Sequence, residues 1–388
     1  MFLAMMLKTS RVLANNLKNL LGWNTRKKLI LFVVDDYGTV RLHSKAAREQ
    51  LDQAGLPMDS RFDTYDTLET REDLQALYEV LNSVKDQNGK GAVFTPYALS
   101  CNINFERLSQ DGYLSGYHYE HLPTTYKKLS ALQPSAYEGT WELWREGIAK
   151  GLIAPQFHGR EHLNLKVFEE KLQRRDHDIM TALKNRSYTS IQQTDYPSIG
   201  WTSAFSFAQA EELKRFPEVI KSGLDAFATV FGYRATAFTP PAQQFHPSLH
   251  AVLWENGVQA IDRPLTYKQH LGDGQYKRVV SQTHCNKKTE KVTLVRNVVF
   301  EPTEERGVDW VAFTLKQIEA AFRWHKPAII SSHRVNFCGH IDPDNRKKGL
   351  SALHGLLQKI VSRWPDVEFI SVAELVKLMQ EDKGVHSI

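Results

Sequence analysis

Two histidines and two adjacent aspartates are the residues of this sequence whose types and spacing best suit catalysis. His158 and His162 are four positions apart, a separation that places both imidazoles on one side of a helical turn. Asp35 and Asp36 follow an apolar run, and in an extended strand their side chains point in opposite directions. One carboxylate can therefore bind a metal while the other takes a proton. With Asp36 as the third ligand, the two imidazoles would hold a divalent cation, zinc by expectation, and leave one coordination position open.

A third imidazole, His333, follows the apolar, β-rich run of residues 328–332. In that place it could act as a general acid that protonates a leaving group. The alternatives for these groups are structural: the histidines can be surface or buried hydrogen-bonded residues, and one aspartate can cap the segment around Gly38. Cys338 lies near His333 in the sequence, but no recognisable nucleophile pattern surrounds it.

The elements that must position these residues alternate along the chain. Short apolar runs predict strands, and the stretches between them predict helices, which is typical of α/β proteins with a parallel sheet. The predicted strands cover residues 29–34, 91–94, 152–157, 235–238, 258–261, 293–299, 328–332 and 367–370. The predicted helices cover residues 44–54, 71–85, 137–150, 165–184, 208–231 with an interruption at Pro217, 247–256, 310–324 and 346–363. This order predicts a single distorted (β/α) barrel of seven or eight parallel strands.

The candidate residues share one position in this fold, because each comes directly after a predicted strand. In chain order they are Asp35, Asp36, His158, Thr239, Pro240, Asp262 and His333. In a parallel barrel these positions face one rim, where active sites are found. Two long connections, residues 96–134 and 262–291, are also candidates for a functional role. The first contains Tyr97 and further aromatic rings, which can either contact sugar rings or pack the connection onto the barrel.

The composition is that of a soluble globular protein, with 42% hydrophobic and 24% charged residues among 388. The net charge of +5 is interpreted as spread through the chain and not gathered into one basic stripe, so nucleic acid is not expected as a partner. The three cysteines, Cys101, Cys285 and Cys338, are too few and too scattered for a disulfide framework. This cysteine usage favours a reducing, cytoplasmic location.

The first 28 residues predict an amphipathic helical extension ahead of a domain that spans residues 29–388. Four leucines fall on one helical face: Leu13, Leu17, Leu20 and Leu21. We expect this face to pack on the domain and not to lie on a membrane surface. The basic residues Lys8 and Arg11 follow the first apolar run, which is the wrong order for a secretory signal. No apolar run approaches the length of a transmembrane helix.

Around these residues the sequence resembles the polysaccharide deacetylase family, which is also described by its NodB homology domain. The run of residues 33–38, with its paired aspartates, is similar to the first motif of the family, and residues 158–162 to the second. The resemblance implies that Asp35 is the catalytic base and that Asp36, His158 and His162 bind the metal. Residues 330–333 resemble the fifth motif, which supplies the catalytic histidine, here His333.

Two motifs depart from the family pattern. Thr239 stands where the third motif has an arginine that pairs with the base, and Arg160, Arg263 or Arg334 could replace that arginine. Residues 261–263 match the fourth motif at Asp262 but lack its tryptophan, and Asp262 is expected to orient His333. The expected substrate contacts are Thr239, Pro240, Tyr97 and Arg334.

These expectations together predict a metal-dependent carbohydrate deacetylase. The metal would polarise an acetyl carbonyl and acidify a water molecule, Asp35 would take a proton and His333 would protonate the leaving group. A glycoside hydrolase of the same superfamily and a catalytically inactive carbohydrate-binding barrel are the alternatives. The first would use two carboxylates in place of a metal, and the second would bind glycans without turnover.

Overall fold

A computed structural model describes residues 13–114, 116–189 and 191–382 of the chain. Its strands are β1 (Lys28–Tyr37), β2 (Phe94–Ala98), β3 (Cys101–Ile103), β4 (Tyr119–His121), β5 (Gln156–Phe157), β6 (Ala237–Phe238), β7 (Ala260–Asp262), β8 (Thr266–Gly272), β9 (Gln275–Val280), β10 (His284–Cys285), β11 (Val292–Leu294), β12 (Val298–Val299), β13 (Ala328–His333) and β14 (Val367–Phe369). Each of the eight predicted strands corresponds to one or two of these. The boundaries differ by a few residues, as at β2, which begins where the predicted strand ended.

The helices flank this sheet in the order expected for an α/β fold. They are α1 (Lys45–Gln53), α2 (Arg61–Tyr65), α3 (Arg71–Ser83), α4 (Phe105–Gln110), α5 (Leu122–Leu132), α6 (Pro134–Tyr137), α7 (Thr140–Ala149), α8 (Leu165–Gln173), α9 (His177–Lys184), α10 (Phe216–Phe231), α11 (His250–Glu255), α12 (Trp310–Arg323), α13 (Pro343–Arg363) and α14 (Val372–Glu381). Short 3₁₀ turns cover Ala210–Arg215, Pro241–Gln243, Pro247–Leu249 and Arg334–Phe337.

The main sheet is parallel apart from β10, and its strand order is β10-β11-β7-β6-β5-β2-β1-β13-β12. The strand β1 is buried along nearly its whole length, as a central strand of a parallel sheet must be. One edge of β1 pairs with β13, while β14 and β2 share successive parts of its other edge. The predicted parallel α/β sheet with flanking helices is thereby confirmed.

The first and last strands of the parallel part of this order, β11 and β12, lie on one short segment and are separated by only three residues. β11 pairs with β7 and β12 pairs with β13, so the sheet must bend round towards a ring. The ladder is interrupted at residues 295–297, where one continuous strand was predicted. The Asn297 side chain replaces the missing backbone bonds: it accepts from Ile329 N at 2.9 Å and donates to Pro327 O at 2.9 Å. The ring is therefore distorted and not a closed hydrogen-bonded barrel.

Three predicted helices are divided in the structure for local reasons. The stretch 165–184 breaks into α8 and α9 at Arg175, which has a left-handed φ of 52°. The stretch 208–231 divides into a 3₁₀ turn and α10, with Pro217 in the first turn of α10, where a missing N–H costs nothing. The stretch 247–256 divides in the same way into a 3₁₀ turn and α11.

The two long connections contain regular structure that the sequence analysis did not predict. Residues 96–134 include the antiparallel pair β3–β4 and the helices α4 and α5, and residues 262–291 include the β8–β9 hairpin. Both connections run from the carboxyl end of a parallel strand. Both connections therefore lie at the rim that carries the candidate residues.

The described part of the N-terminal segment contacts the domain through Trp23, which packs against an apolar cluster that includes Leu29 and Leu31, and through polar side chains. Lys18 Nζ donates to Gln317 Oε1 at 3.0 Å, and Asn19 Oδ1 accepts from Asn297 Nδ2 at 2.8 Å. The leucines that were expected to pack on the domain are instead exposed by 43–74%: Leu13, Leu17, Leu20 and Leu21. The expected packing of this face is therefore wrong, because the neighbouring surface offers amide partners. Among the described residues, no helix combines the length and apolar character needed to cross a membrane.

Candidate metal centre

Asp36, His158 and His162 meet at the carboxyl ends of β1 and β5. One ligand atom from each of the three side chains lies within 4.8 Å of the others, and all three residues are buried. Oδ1 of Asp36 is 3.0 Å from Nε2 of His162 and 3.6 Å from Nε2 of His158. The three side chains predicted to share an ion are thus brought together.

The backbone at Asp36 turns its carboxylate into this group. Asp36 has a φ of 74°, a left-handed conformation that costs an aspartate about 1–3 kcal/mol, and the pairing of β1 with β2 shifts register here. Asp35 and Asp36 therefore both face the cavity, whereas an extended strand would have sent them in opposite directions. Gly38 completes the turn, since a Cβ there would lie 2.4 Å from the carbonyl oxygen of Leu99.

The two histidines converge through an irregular loop and not on the helical turn that their spacing suggested. The loop connects β5 to α8, and Gly159 within it has a φ of 112°. His158 Nδ1 lies 2.8 Å from the carbonyl oxygen of Thr239. Because a carbonyl can only accept, Nδ1 carries the proton, and Nε2 is left with the lone pair that a metal requires.

The free nitrogen atoms of this group fit a cation. Nε2 of His158 is buried and has no hydrogen-bond partner among the described residues, and Nε2 of His162 faces the same Asp36 oxygen at 3.0 Å. Burial alone would raise the pKa of Asp36, but the imidazoles of His162 and His158 beside its carboxylate hold it well below its usual range. An ionised carboxylate and two imidazole nitrogens are a donor set that zinc accepts.

Asp35, beside this group, forms a bidentate ion pair with Arg296. Nη1 of Arg296 is 2.7 Å from Oδ2 of Asp35, and Nη2 is 2.8 Å from Oδ1. Arg296 lies in the break between β11 and β12, which aims its side chain inward. Arg296 is therefore the arginine that pairs with Asp35, and Arg160, Arg263 and Arg334, which were named from the sequence, do not.

Three predicted site residues support this arginine. Asp262 accepts from Arg296 Nε and from Thr239 Oγ1, the latter at 2.8 Å. Nη2 of Arg296 also donates to Thr239 Oγ1 at 3.1 Å, and the guanidinium lies 5.4 Å above the centre of the Tyr97 ring. Burial raises the pKa of Asp262, and Arg296 opposes this rise. Tyr97 and Thr239 were expected to contact substrate. Both are fully buried and instead position Arg296.

His333 at the end of β13 is oriented by Glu301 and not by Asp262. Nδ1 of His333 is 2.7 Å from Oε1 of Glu301, while Nε2 is 3.9 Å from Oδ2 of Asp35. Burial would lower the pKa of His333, but the carboxylate of Glu301, with Asp36 and Asp35, raises it to about 9. The imidazole is therefore protonated at neutral pH, with Nε2–H directed to the cavity.

Glu301 is itself held in place by two side chains. Its Oε2 accepts from Arg61 at 2.5 Å and from Asn336 Nδ2 at 2.7 Å. Burial would raise the pKa of Glu301, but His333 and Arg61 lower it. The pair His333–Glu301 is thus fixed from both sides.

These groups line one cavity of about 560 Å³. Its walls include Asp35, Asp36, His158, His162, Arg296 and His333. Pro240 also lines it, as expected for a substrate contact. Arg334 does not, because its guanidinium is buried against Asp66 at 2.9 Å and Glu69 at 3.1 Å. The prediction that Arg334 contacts substrate is therefore wrong.

Two functional residues were missed, and each carried a signal in the sequence. Arg296 interrupts the apolar run 293–299, and a charge inside a buried strand needs an opposite charge beside it. Glu301 lies two residues beyond the strand that ends at Val299, the same kind of position that His158 and His333 occupy. The rule that found His158 and His333 would have found Glu301.

Comparison with known proteins finds no family model and no curated protein that matches this sequence. Similar solved structures include a protein from Mycobacterium smegmatis described as a polysaccharide deacetylase, 12% identical with a TM-score of 0.46 over 93% of each chain. A GH57 branching enzyme from Thermococcus kodakaraensis is 10% identical, with a TM-score of 0.47 over 91% of this chain and 71% of that one. The alpha-amylase AmyC from Thermotoga maritima is 10% identical, with a TM-score of 0.44 over 91% and 75%. At this level, neither the family nor the activity of this chain follows from these proteins.

Proposed function

We propose that this chain is a divalent-metal hydrolase that removes N- or O-linked acetyl groups from a carbohydrate, with zinc as the metal. The observation that carries the proposal is the buried Nε2 of His158, which has no hydrogen-bond partner among the described residues and lies 3.6 Å from Oδ1 of Asp36. Asp36, His158 and His162 would hold the ion, which when bound polarises an acyl carbonyl and acidifies water. The carbohydrate substrate rests on the resemblance of the surrounding motifs to those of polysaccharide deacetylases.

Asp35 is the general base in this proposal. Arg296 holds both oxygens of its carboxylate in one plane, at 2.7 and 2.8 Å, so the group cannot rotate away from the cavity. A carboxylate fixed in this way takes the proton of an attacking water at the moment of attack. Arg296 also binds a second carboxylate, that of Asp262, which is 1% exposed and accepts a hydrogen bond from Nε of the guanidinium.

His333 is the general acid. Its Nδ1–H donates to Glu301, and its Nε2–H faces the cavity beside Asp35. Burial would lower the pKa of His333, but the carboxylate of Glu301 raises it, so the imidazole holds a proton that it can give. As the bond between acyl carbon and sugar breaks, Nε2 transfers this proton to the departing nitrogen or oxygen, and acetate and the deacetylated sugar leave.

The glycosidase alternative needs two carboxylates on opposite sides of the scissile bond. Asp35 and Asp262 do not meet that requirement, since both bind Arg296 and Asp262 is buried. Glu301 is committed to His333 and Arg61. This arrangement favours the metal-dependent hydrolase.

The decisive test combines metal analysis with an acetate-release assay. Freshly purified full-length protein is expected to contain a stoichiometric divalent metal and to release acetate from N-acetylated or O-acetylated oligosaccharides. A chelator should remove both the metal and the activity, and zinc or cobalt should restore the activity.

Three outcomes would contradict the proposal in different ways. Absence of bound metal, together with acetate release that survives a chelator, rejects the metal role. Release of reducing sugar ends without acetate favours the glycosidase. Oligosaccharide binding without turnover, even after zinc or cobalt is added, favours the inactive binding protein.

A further inference from the structure

The positive charge of this protein is concentrated in one segment, contrary to the even spread inferred from the whole sequence. Residues 263–293 contain seven lysines and arginines against two acidic residues. Their surplus of five equals the net charge of the entire chain, so the remaining residues are balanced. This segment holds the β8–β9 hairpin and the turn that leads into β11. A local surplus of this size favours contact with an anion.

Within the segment, a second cavity of about 400 Å³ lies next to the catalytic one. Two cationic residues, Arg263 and Lys291, and two histidines, His250 and His284, line it. The rest of its lining is apolar or uncharged and polar, and no Asp or Glu of the described chain contributes to it. Arg263 lines both cavities, so the two share a wall.

Arg263 lacks the partner that buried arginines of this protein have. Arg296 and Arg160 each contact a carboxylate. Arg263 instead donates to the hydroxyl of Tyr267 at 2.5 Å and to Nε2 of His250. No carboxylate in the described part of the chain lies within ion-pair distance of it. Charges with restricted access to water are normally paired, so this guanidinium is suited to an external anion.

Lys291 and His250 complete the arrangement. Nζ of Lys291 lies 5.2 Å from the centre of the Trp254 ring and makes only a long contact of 3.4 Å to the carbonyl oxygen of Val258. Burial, together with the charge of Arg263, lowers the pKa of His250 to about 4, so its ring is neutral and accepts from Arg263. The cavity thus offers a guanidinium fixed by His250 and an ammonium beside an aromatic face. A planar or tetrahedral anion attached to a ring matches these groups.

We propose that this second cavity binds an anionic substituent, a carboxylate or a sulfate, of the carbohydrate that occupies the catalytic cavity. Arg263 forms the wall between the cavities, Lys291 supplies the second cation, and Trp254 and His284 flank the anion. The carbohydrate part of this proposal rests on the proposed function, whereas the anion site does not. The substrate class is therefore an acetylated and negatively charged glycan.

The test compares the affinity of the full-length protein for three oligosaccharides of equal length. The reference is neutral, fully N-acetylated chitotetraose, called chitotetraose below; its 6-O-sulfated form carries sulfate, and a hyaluronan tetrasaccharide carries carboxylate. We expect at least one anionic compound to bind about tenfold more tightly than chitotetraose, as charge-assisted contacts would give. Which one binds identifies the anion. If neither anionic compound binds more tightly than chitotetraose, the proposal is overturned.

Matched lysine variants separate a specific site from general charge attraction. Lys291→Gln is expected to remove most of the preference for the anionic oligosaccharide and to leave binding of chitotetraose within about twofold. Lys288→Gln removes one exposed charge from the same turn, outside the cavity lining, and is expected to leave the preference nearly unchanged. Equal losses in the two variants would overturn the proposal.

Acetate release, measured on the same compounds, distinguishes failure of this proposal from failure of the proposed function. Preferential binding of an anionic oligosaccharide without any acetate release rejects the deacetylase and retains the anion site. Acetate release from chitotetraose, with no preference for the anionic compounds, retains the deacetylase and rejects the anion site.

Discussion

Arg296 donates two parallel hydrogen bonds to Asp35, although the residues are 261 positions apart in the sequence. Asp35 lies near the carboxyl end of β1, and Arg296 occupies the gap between β11 and β12. The ion pair therefore joins β1 to the segment that carries β11 and β12, the first and last strands of the parallel part of the sheet. The interruption that prevents hydrogen-bonded closure of the ring is also what aims Arg296 at the carboxylate.

Removal of this contact should abolish turnover and leave metal binding intact. Arg296→Gln cannot form two charge-assisted bonds, so Asp35 loses its fixed orientation, and we expect kcat to fall about 100-fold or more. Arg296→Lys keeps the charge without the planar fork and should remain strongly impaired. Acetate release and metal content should be measured on the same samples. Near-normal kcat in Arg296→Gln would reject Asp35–Arg296 as the catalytic pair.

Mutations of the metal ligands and of the proton-transfer residues should have different effects on metal content. His158→Ala removes a buried nitrogen that faces Asp36, so metal content and activity are expected to fall together. Asp35→Asn and His333→Ala leave the three ligands in place and should lose turnover while they retain metal. Elemental analysis and acetate release provide the two readouts. Metal loss in Asp35→Asn equal to that in His158→Ala would contradict the assignment of Asp35 as base.

The pKa of His333, the proposed general acid, should be unusually high because of Glu301. In metal-free protein we expect its imidazole resonances to report a pKa of about 9, and in Glu301→Gln the pKa should fall towards or below the ordinary 6.5. The alkaline limb of activity should move to lower pH in the same variant. An NMR titration that shows the same pKa in both proteins would show that Glu301 does not set the protonation of His333.

The same shift has a consequence for stability in metal-free protein. The pKa of His333 is higher in the folded than in the unfolded state, so its contribution to stability is complete below pH 6.5 and is lost as the pH rises through about 9. The difference in free energy of unfolding between the native protein and Glu301→Gln should therefore narrow over this interval. Denaturant titrations at several pH values measure it.

Arg334 should matter for stability and not for substrate binding. Its guanidinium is 1% exposed and compensates Asp66 and Glu69, which are buried to the same degree. Arg334→Met leaves those carboxylates less compensated and is expected to lower the free energy of unfolding by about 3–5 kcal/mol. The exposed Arg323, which contacts Glu319 at 3.3 Å, is the control, and Arg323→Met should cost under about 1 kcal/mol. Similar losses in both variants would contradict the structural role of Arg334.

Periodicity and strand-end positions in the sequence were sufficient to predict the α/β sheet and the meeting of Asp36, His158 and His162. The reason is that parallel strands place their carboxyl ends on one rim, so residues after successive strands converge without detailed knowledge of the loops. His333 was found by the same rule. Its register partner in the sheet is Asp35, which explains why both face one cavity.

The partners of these residues could only be decided by the tertiary structure. Which guanidinium reaches Asp35 depends on a three-residue break in one strand, and which carboxylate reaches His333 depends on how the segment after β12 lies beside β13. Arg334 follows His333 directly in the sequence, yet it is turned into a buried ion-pair network. Side-chain partners are set by local turns of the backbone, and hydrophobic periodicity carries no information about these turns. Periodicity does record the burial pattern, which sets the positions of the strands and of their ends.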